Sequence, residues 1–366
     1  MFEIDERIQV AQTPPGKAYC DPSIFRLECD HVFTRAWLAA PRIPAESGHV
    51  DPFVLLPGAM DEPLILTRDE AGSLGCISNV CTHRGMEIVC EAGSVKRLRC
   101  PYHGRRFHLD GTLESAPGFE GAENFPRATD NLHRVNLAPW GPMAFVSLNP
   151  LVPFQDWVSS LTDWLAFLPL DELTPDPGAT RRFDVAANWK LYLDNYLEGF
   201  HIPTVHKGLA KTLDLAGYRV ELLRGGSVQI GIASGDGPVL PLGPDHPLAG
   251  QKVGALYFHL FPNTLLNVYP WGLSVNHVNP VGPMETEVIF ERYVWRPALL
   301  GQGAGGDLDL VEMEDEAVVE ATQRGLRSRL YERGRYAPKH EAAVHHFHRL
   351  WVAHMEGLTP LHAPDD

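Results

Sequence analysis

Cys81-Thr82-His83-Arg84-Gly85 and Cys100-Pro101-Tyr102-His103-Gly104, with sixteen residues between His83 and Cys100, decide how this chain is read. Each run offers one thiolate and one imidazole. Two Cys and two His can make a tetrahedral zinc site, but a zinc finger usually groups its ligands as a Cys pair and a His pair. Here the two types are mixed within each run. Gly85 and Gly104 can take backbone angles closed to other residues and let each loop pass close to a bound group, while Pro101 stiffens the second loop.

The mixed order suits a Rieske [2Fe-2S] centre. One iron takes two thiolates and the other two imidazoles, so each loop must deliver one ligand to each iron. Cys81, His83, Cys100 and His103 are therefore the candidate cluster ligands, with structural zinc as the alternative. Cys20, Cys29, Cys76 and Cys90 are expected to be free thiols, because six cysteines in a chain of 366 residues do not make a disulfide framework.

Bulk properties fit an enzyme. The length allows two domains at 44% hydrophobic content, and no apolar window approaches a transmembrane length. The acidic start, Met1-Phe2-Glu3-Ile4-Asp5-Glu6, resembles neither a signal nor a transit peptide, so a cytoplasmic location is expected. A net charge of -15 argues against nucleic acid as a partner, since that binding relies on Lys and Arg neutralising phosphates.

Along the chain, Phe53-Val54-Leu55-Leu56, Pro63-Leu64-Ile65-Leu66-Thr67 and Ala144-Phe145-Val146-Ser147-Leu148 read as short strands between turn residues. They predict a small antiparallel domain carrying the cluster at its loop tips. Pro150, Pro153 and the acidic, Pro-rich stretch from Asp171 to Gly178 mark a boundary. The expected division is 1–40 as an N-terminal segment, 41–150 as the cluster domain and 151–366 as a catalytic domain. In the last, Arg182 to Val185 starts as a strand, and Asn188 to Phe200 has helical spacing until Pro203 stops it. Tyr218 to Ile232, Ala255 to Val268, Leu273 to Val278 and Glu285 to Trp295 read as strands of a larger antiparallel sheet. Helices are expected near Leu308 to Tyr331 and Lys339 to Met355. The glycine-rich run from Gly301 to Gly306 reads as a loop, since no strand leads into it.

Asn195, Glu198 and His201 are three apart, which predicts one face of a helix, and His206 can return beside His201 after Pro203. Two imidazoles and one carboxylate make the facial triad of non-haem Fe(II), which leaves positions open for O2. Two histidines near a helix end more often pack than ligate; a one-electron donor in the same chain reverses that preference. Spacing does not choose the carboxylate, since Asp307, Asp309, Glu312, Glu314, Asp315 and Glu316 crowd one run.

Over nearly its whole length, through the cluster runs, the Asn195 to His206 segment and a C-terminal helix, the chain resembles the α subunits of Rieske non-haem iron oxygenases. Within them it looks most like the choline monooxygenase members, in Asp194-Asn195-Tyr196-Leu197, His206-Lys207-Gly208-Leu209-Ala210, Gln323-Arg324-Gly325-Leu326, Gly334-Arg335-Tyr336-Ala337-Pro338 and His345-His346-Phe347-His348. The resemblance implies Asp315 as the third iron ligand, eight residues before Gln323. It also implies that Glu198 bridges a cluster histidine of one subunit to an iron histidine of its neighbour. Many ring-hydroxylating members carry Asp at that place. Respiratory Rieske proteins carry a further Cys in each ligand loop; Met86 and Tyr102 stand there instead, which favours the oxygenase type.

The resemblance further implies an α+β fold, a small antiparallel cluster domain plus a larger antiparallel sheet flanked by helices in the helix-grip manner. The implied function is the terminal oxygenase of a Rieske monooxygenase that inserts one atom of O2 into a C–H bond of a small substrate, for which a quaternary ammonium compound such as choline or a betaine is the candidate. The alternatives are a hydroxylase or demethylase of an aromatic acid, or an electron carrier without catalytic iron. A separate flavin or ferredoxin reductase and a homotrimer are implied as partners. Tyr257, Phe258, Phe261, Tyr269 and Trp271 could cage a trimethylammonium group, although aromatics in strands are more often core. The histidines of 345–348 are expected to hydrogen-bond within the core or back the iron site.

Overall fold

Short apolar runs bounded by turn residues build antiparallel sheets in two places along the chain. The computed structural model describes residues 2–41, 43–206, 217–303 and 308–358, without the side chains of 308–311. The chain divides into two units, Trp37–Pro150 and the combination of Met1–Ala36 with Leu151–Asp366.

In the Trp37–Pro150 unit, the Glu62–Arg68 strand buries Leu64, Ile65 and Leu66 in succession. Successive side chains point to opposite faces, so a continuous buried run means that both faces are covered; the strand's edges pair with His49–Leu55 and Leu74–Ser78. The sheet continues through Arg134–Trp140 and Met143–Ser147 to Leu38–Ala40 on one side and to Gly93–Ser94 on the other. A smaller sheet joins Leu98–Arg99, Arg106–Phe107 and Leu113–Ser115. Val50, Ile65, Ile77, Leu98, Phe107 and Leu132 form one core with Cys81 and Cys100. The ligand loops are thereby rooted in packed apolar structure.

The other unit is built on a mostly consecutive antiparallel sheet. From one edge to the other run Thr174–Pro175, Glu285–Val294, Gly272–Gly282, Thr264–Tyr269, Val253–Leu260, Gly226–Ile232 and Arg219–Leu223, and Arg181–Val185 also pairs with Glu285–Val294. The segments 218–232 and 255–268, expected as single strands, are each a hairpin. Gly225 turns the first at φ +73°, and a Cβ on Gly226 would lie 1.9 Å from the His259 carbonyl oxygen, so the adjoining strand can approach only a glycine there.

Four longer helices accompany this sheet: α1 (Pro22–His31), α2 (Trp189–Tyr196), α3 (Leu308–Leu326) and α4 (Ala342–Met355). Asp21 caps α1 through the Ser23 N–H at 2.8 Å, with Pro22 at the first position, and Asn188 caps α2 through the Lys190 N–H at 3.1 Å. α2 packs on α3, and α4 packs on Arg219–Leu223 and Gly226–Ile232. One buried carboxylate ties three helices: Glu28 of α1 pairs with the Lys190 ammonium of α2 and accepts the indole N–H of Trp189 at 3.0 Å and of Trp351, from α4, at 2.9 Å. Among the described residues no helix is long and apolar enough to cross a membrane. The resemblance segment Lys207 to Ala210, residues 304–306 of the glycine-rich run and Asp307 lie outside the described residues.

Candidate metal centres and substrate pocket

The two cysteine loops share one plan. The Cys81 N–H donates to the Met86 carbonyl at 2.8 Å and the Gly85 N–H returns to the Cys81 carbonyl at 3.0 Å; Cys100 donates to Arg105 at 2.9 Å and Gly104 to Cys100 at 3.0 Å. Both turns need a left-handed residue, and the glycines supply it at φ +73° and +76°. Cys81 and Cys100 are both buried and their side chains lie within hydrogen-bond reach of each other. The His83 and His103 rings stand edge to face with centroids 4.7 Å apart, and the buried Nδ1 of His83 has no hydrogen-bond partner. A thiol pair beside an imidazole pair, with a ring nitrogen left unassigned, fits a cluster whose two irons take different ligands.

Arg105 binds the two loops together. Buried behind the second loop, its guanidinium donates to Thr82 Oγ1 in the first at 3.2 Å and lies 4.3 Å over the Phe119 ring. No motif singles this residue out, because its role depends on two loops meeting in space.

Among the described residues the donors that close around a single point are His201, His206 and Asp315, with one ligand atom from each within 4.8 Å of the others. His206 Nε2 lies 2.9 Å and His201 Nε2 3.5 Å from Asp315 Oδ1. The other ring nitrogens are occupied: His201 Nδ1 donates to Glu198 Oε1 at 2.7 Å, and His206 Nδ1 donates to Glu314 Oε2 at 2.7 Å. A proton fixed on Nδ1 leaves the Nε2 lone pair free to ligate, which is the usual arrangement behind a metal-binding histidine. Burial disfavours a charged His206, but Asp315 and Glu314 outweigh it and hold the imidazole above its ordinary pKa. Two imidazoles and a carboxylate fit Fe(II) with open positions.

The helix expected over Asn188 to Phe200 is shorter. α2 ends at Tyr196, and Pro203 stops nothing, being the second residue of the helical turn Ile202–Val205. Of Asn195, Glu198 and His201, only Asn195 lies on α2. The Glu198 carboxylate accepts the N–H groups of Phe200 and of His201, the latter at 3.1 Å, so it takes donors that a continuing helix would turn back on itself. Gln229 Nε2 meanwhile donates to the Tyr196 carbonyl at 2.5 Å, and a Cβ on Gly199 would sit 2.6 Å from the Tyr218 ring.

A pocket of about 770 Å³, its mouth included, opens beside the triad. The residues lining it include Tyr192, Tyr196, Tyr257, Tyr269, Asn276 and Glu312. Tyr257 and Tyr269 stand edge to face at 6.0 Å. Of the five aromatics named for a cage only these two face it. Strand alternation turns Phe258 to the opposite face, Phe261 packs on Phe347 and His354, and Trp271 stacks behind Tyr269 at 5.2 Å. Burial pushes the Glu312 carboxyl up to about 8; the hydrogen bond from Tyr192 opposes this, and the charges of Asp315 and Glu316 add to it. The histidines of α4 are hydrogen-bonded separately: His345 donates to the Asp5 carbonyl at 2.7 Å, His346 to that of Leu223 at 3.0 Å, and His348 meets Tyr336 at 2.7 Å and Asp194 at 2.9 Å.

Sequence reasoning passed over Glu314, which orients His206, and Glu312. Both stood in the acidic run with nothing in the spacing to set them apart.

The catalytic-domain model of ring-hydroxylating α subunits matches residues 170–357, and the Rieske [2Fe-2S] domain model matches residues 55–126. The chain is 32% identical to the chloroplastic choline monooxygenase of Arabidopsis thaliana, over 95% of this chain and 84% of that one. It is 28% identical to the carnitine monooxygenase oxygenase subunit of Escherichia coli strain K12, over 93% of each. A solved quaternary ammonium Rieske monooxygenase, described for carnitine oxidation and inter-subunit electron transfer, superposes with a TM-score of 0.75 at 22% identity, covering 96% of this chain and 100% of that one.

Proposed function

From a chain that belongs to the family of Rieske non-haem iron oxygenase α subunits, we propose a monooxygenase that hydroxylates a C–H bond of a small quaternary ammonium compound of the choline type. The protein is an oxidoreductase acting with O2, and its cofactors are a Rieske [2Fe-2S] cluster and a mononuclear iron. In our reading Cys81, His83, Cys100 and His103 hold the cluster in a domain of residues 41–150, and His201, His206 and Asp315 hold the iron in a domain of residues 151–366. The iron, when bound and supplied with electrons by the cluster, activates O2.

The chain's own residues set the conditions for that chemistry. Glu198 and Glu314 fix the two imidazoles with their Nε2 atoms toward Asp315. Tyrosine rings present negative faces to a trimethylammonium group, which cannot donate a hydrogen bond. Glu198, already bound to His201, is proposed to reach the cluster histidine His103 of a neighbouring subunit in a homotrimer, giving electrons a bonded route. A separate reductase would feed the cluster.

The observation that carries the reading is the convergence of His201, His206 and Asp315 on a pocket lined by Tyr196, Tyr257 and Tyr269. An aromatic acid would call for a cation to receive its carboxylate, and the described lining residues are neutral, acidic or imidazole. The test is oxygen uptake by the holoenzyme with a reductase, screened over choline, glycine betaine, carnitine and aromatic acids. Uptake coupled to oxidation of a quaternary ammonium compound is expected; uptake with aromatic acids alone would overturn the reading.

A further inference from the structure

Glu312 is a costly residue for its position. It lies one helical turn before Asp315 on α3, is 4% exposed, and lines the pocket that the iron triad opens into. Tyr192 donates to its Oε2 at 2.7 Å, while its Oε1 is buried with no hydrogen-bond partner. An unsatisfied carboxyl oxygen removed from water destabilises a fold, and an apolar side chain of the same size would avoid the penalty.

The other carboxylates of the site are committed. Glu198 serves His201, Glu314 serves His206, and Asp315 receives His206 and the Asn195 amide. The pocket hydroxyls of Tyr196 and Tyr218 are also engaged, with Asn267 at 2.8 Å and Gln229 at 2.9 Å. Ring faces and the second oxygen of Glu312 are among what this lining still offers to a ligand.

We propose that Glu312 is the specificity residue that pairs with the cationic nitrogen of the substrate, holding it within a helical turn of the ligand Asp315 so that a carbon near the nitrogen faces the iron. The assignment rests on the quaternary ammonium reading of the same pocket. Because an alkylated ammonium has no N–H, the pairing is a charge interaction supplemented by the tyrosine faces. It therefore depends on the negative charge of residue 312 and not on its capacity to hydrogen-bond: burial holds the ligand-free carboxyl up to about 8, and a cation beside it favours the ionised form.

Choline and 3,3-dimethylbutan-1-ol, its neutral carbon isostere, separate charge from shape. The holoenzyme with its reductase is assayed on both, as wild type, Glu312→Gln and Glu312→Asp, with iron and cluster content measured in each. Wild type should prefer choline, and Glu312→Gln, which keeps the acceptor for Tyr192, should lower the choline-to-isostere ratio of kcat/KM by about tenfold to a hundredfold. Glu312→Asp should retain the preference, and this arm decides the matter if the Gln variant does not fold. An unchanged ratio in the Gln variant, with choline still oxidised, or a lost preference in the Asp variant overturns the role of Glu312 while the quaternary ammonium reading stands. Loss of the mononuclear iron from the Gln variant overturns it by making Glu312 a ligand. A wild type that oxidises the isostere but no ammonium compound overturns the reading and this assignment together.

Discussion

Each histidine proposed to hold the iron has a carboxylate behind it, and we read different work for the two carboxylates. Among the described residues Glu314 hydrogen-bonds to His206, a contact that would fix one ring and raise the basicity of Nε2. Glu314→Ala should weaken binding of the mononuclear iron by about 10–100-fold and leave the visible spectrum of the cluster intact, as read by metal analysis after dialysis against a chelator. Glu198, bound to His201, is proposed to couple as well as to orient. Glu198→Gln keeps the length and removes the charge, so both metal sites should stay filled while reoxidation of the reduced cluster by O2, with substrate present, slows at least about tenfold in stopped-flow. Reoxidation at the wild-type rate would reduce Glu198 to a packing residue. The candidate histidines and cysteines stood out in the sequence because few side chains can do their chemistry and they recur at fixed spacing. Glu314 and Glu312 did not, since six acids within ten residues look alike until the helix turns three of them, Asp315 included, toward the site.

At the scale of elements, what the sequence showed was strand and helix type, and what it hid was where elements stop. The Tyr218 to Ile232 run is apolar enough for one strand, yet Gly225 breaks it, and α2 stops at Tyr196 because Glu198 and Gln229 claim the backbone groups beyond it. The first break is a local turn at Gly225-Gly226, whereas the second draws on a side chain from a distant strand, Gln229, which periodicity does not reveal. The junction of α1, α2 and α4 is of the second kind. Glu28 and Lys190 are both fully buried, and two indole N–H groups complete the carboxylate's partners. Lys190→Met fills the volume but leaves a charged carboxylate without its counter-ion, which should destabilise this unit by about 3–5 kcal/mol in chemical denaturation. Exchanging Glu28 for Gln together with Lys190 for Met should recover much of that loss, because the cost comes from the unpaired charge.

At the scale of the whole molecule, the two proposed metal sites are held by separate cores. Cys81 and Cys100 belong to the apolar cluster of the Trp37–Pro150 unit, whereas His201, His206 and Asp315 are positioned by α2, α3 and the turn after α2 in the other. Because each core is packed by its own strands, losing a ligand in one unit need not unfold the other. Asp315→Ala should therefore give a red-brown protein with about two irons per chain in place of about three, the cluster accounting for two. Cys81→Ala should give a bleached protein without a rhombic electron paramagnetic resonance signal that still binds about one iron. Glu316→Ala, on the same acidic run as Asp315, serves as the control and should keep the full complement. If iron loss tracks Glu316, the ligand lies elsewhere on α3; if Cys81→Ala also empties the mononuclear site, the two sites share a folding unit and the separate-core argument fails. Elemental analysis set against colour reads both outcomes, and neither activity nor a known substrate is needed.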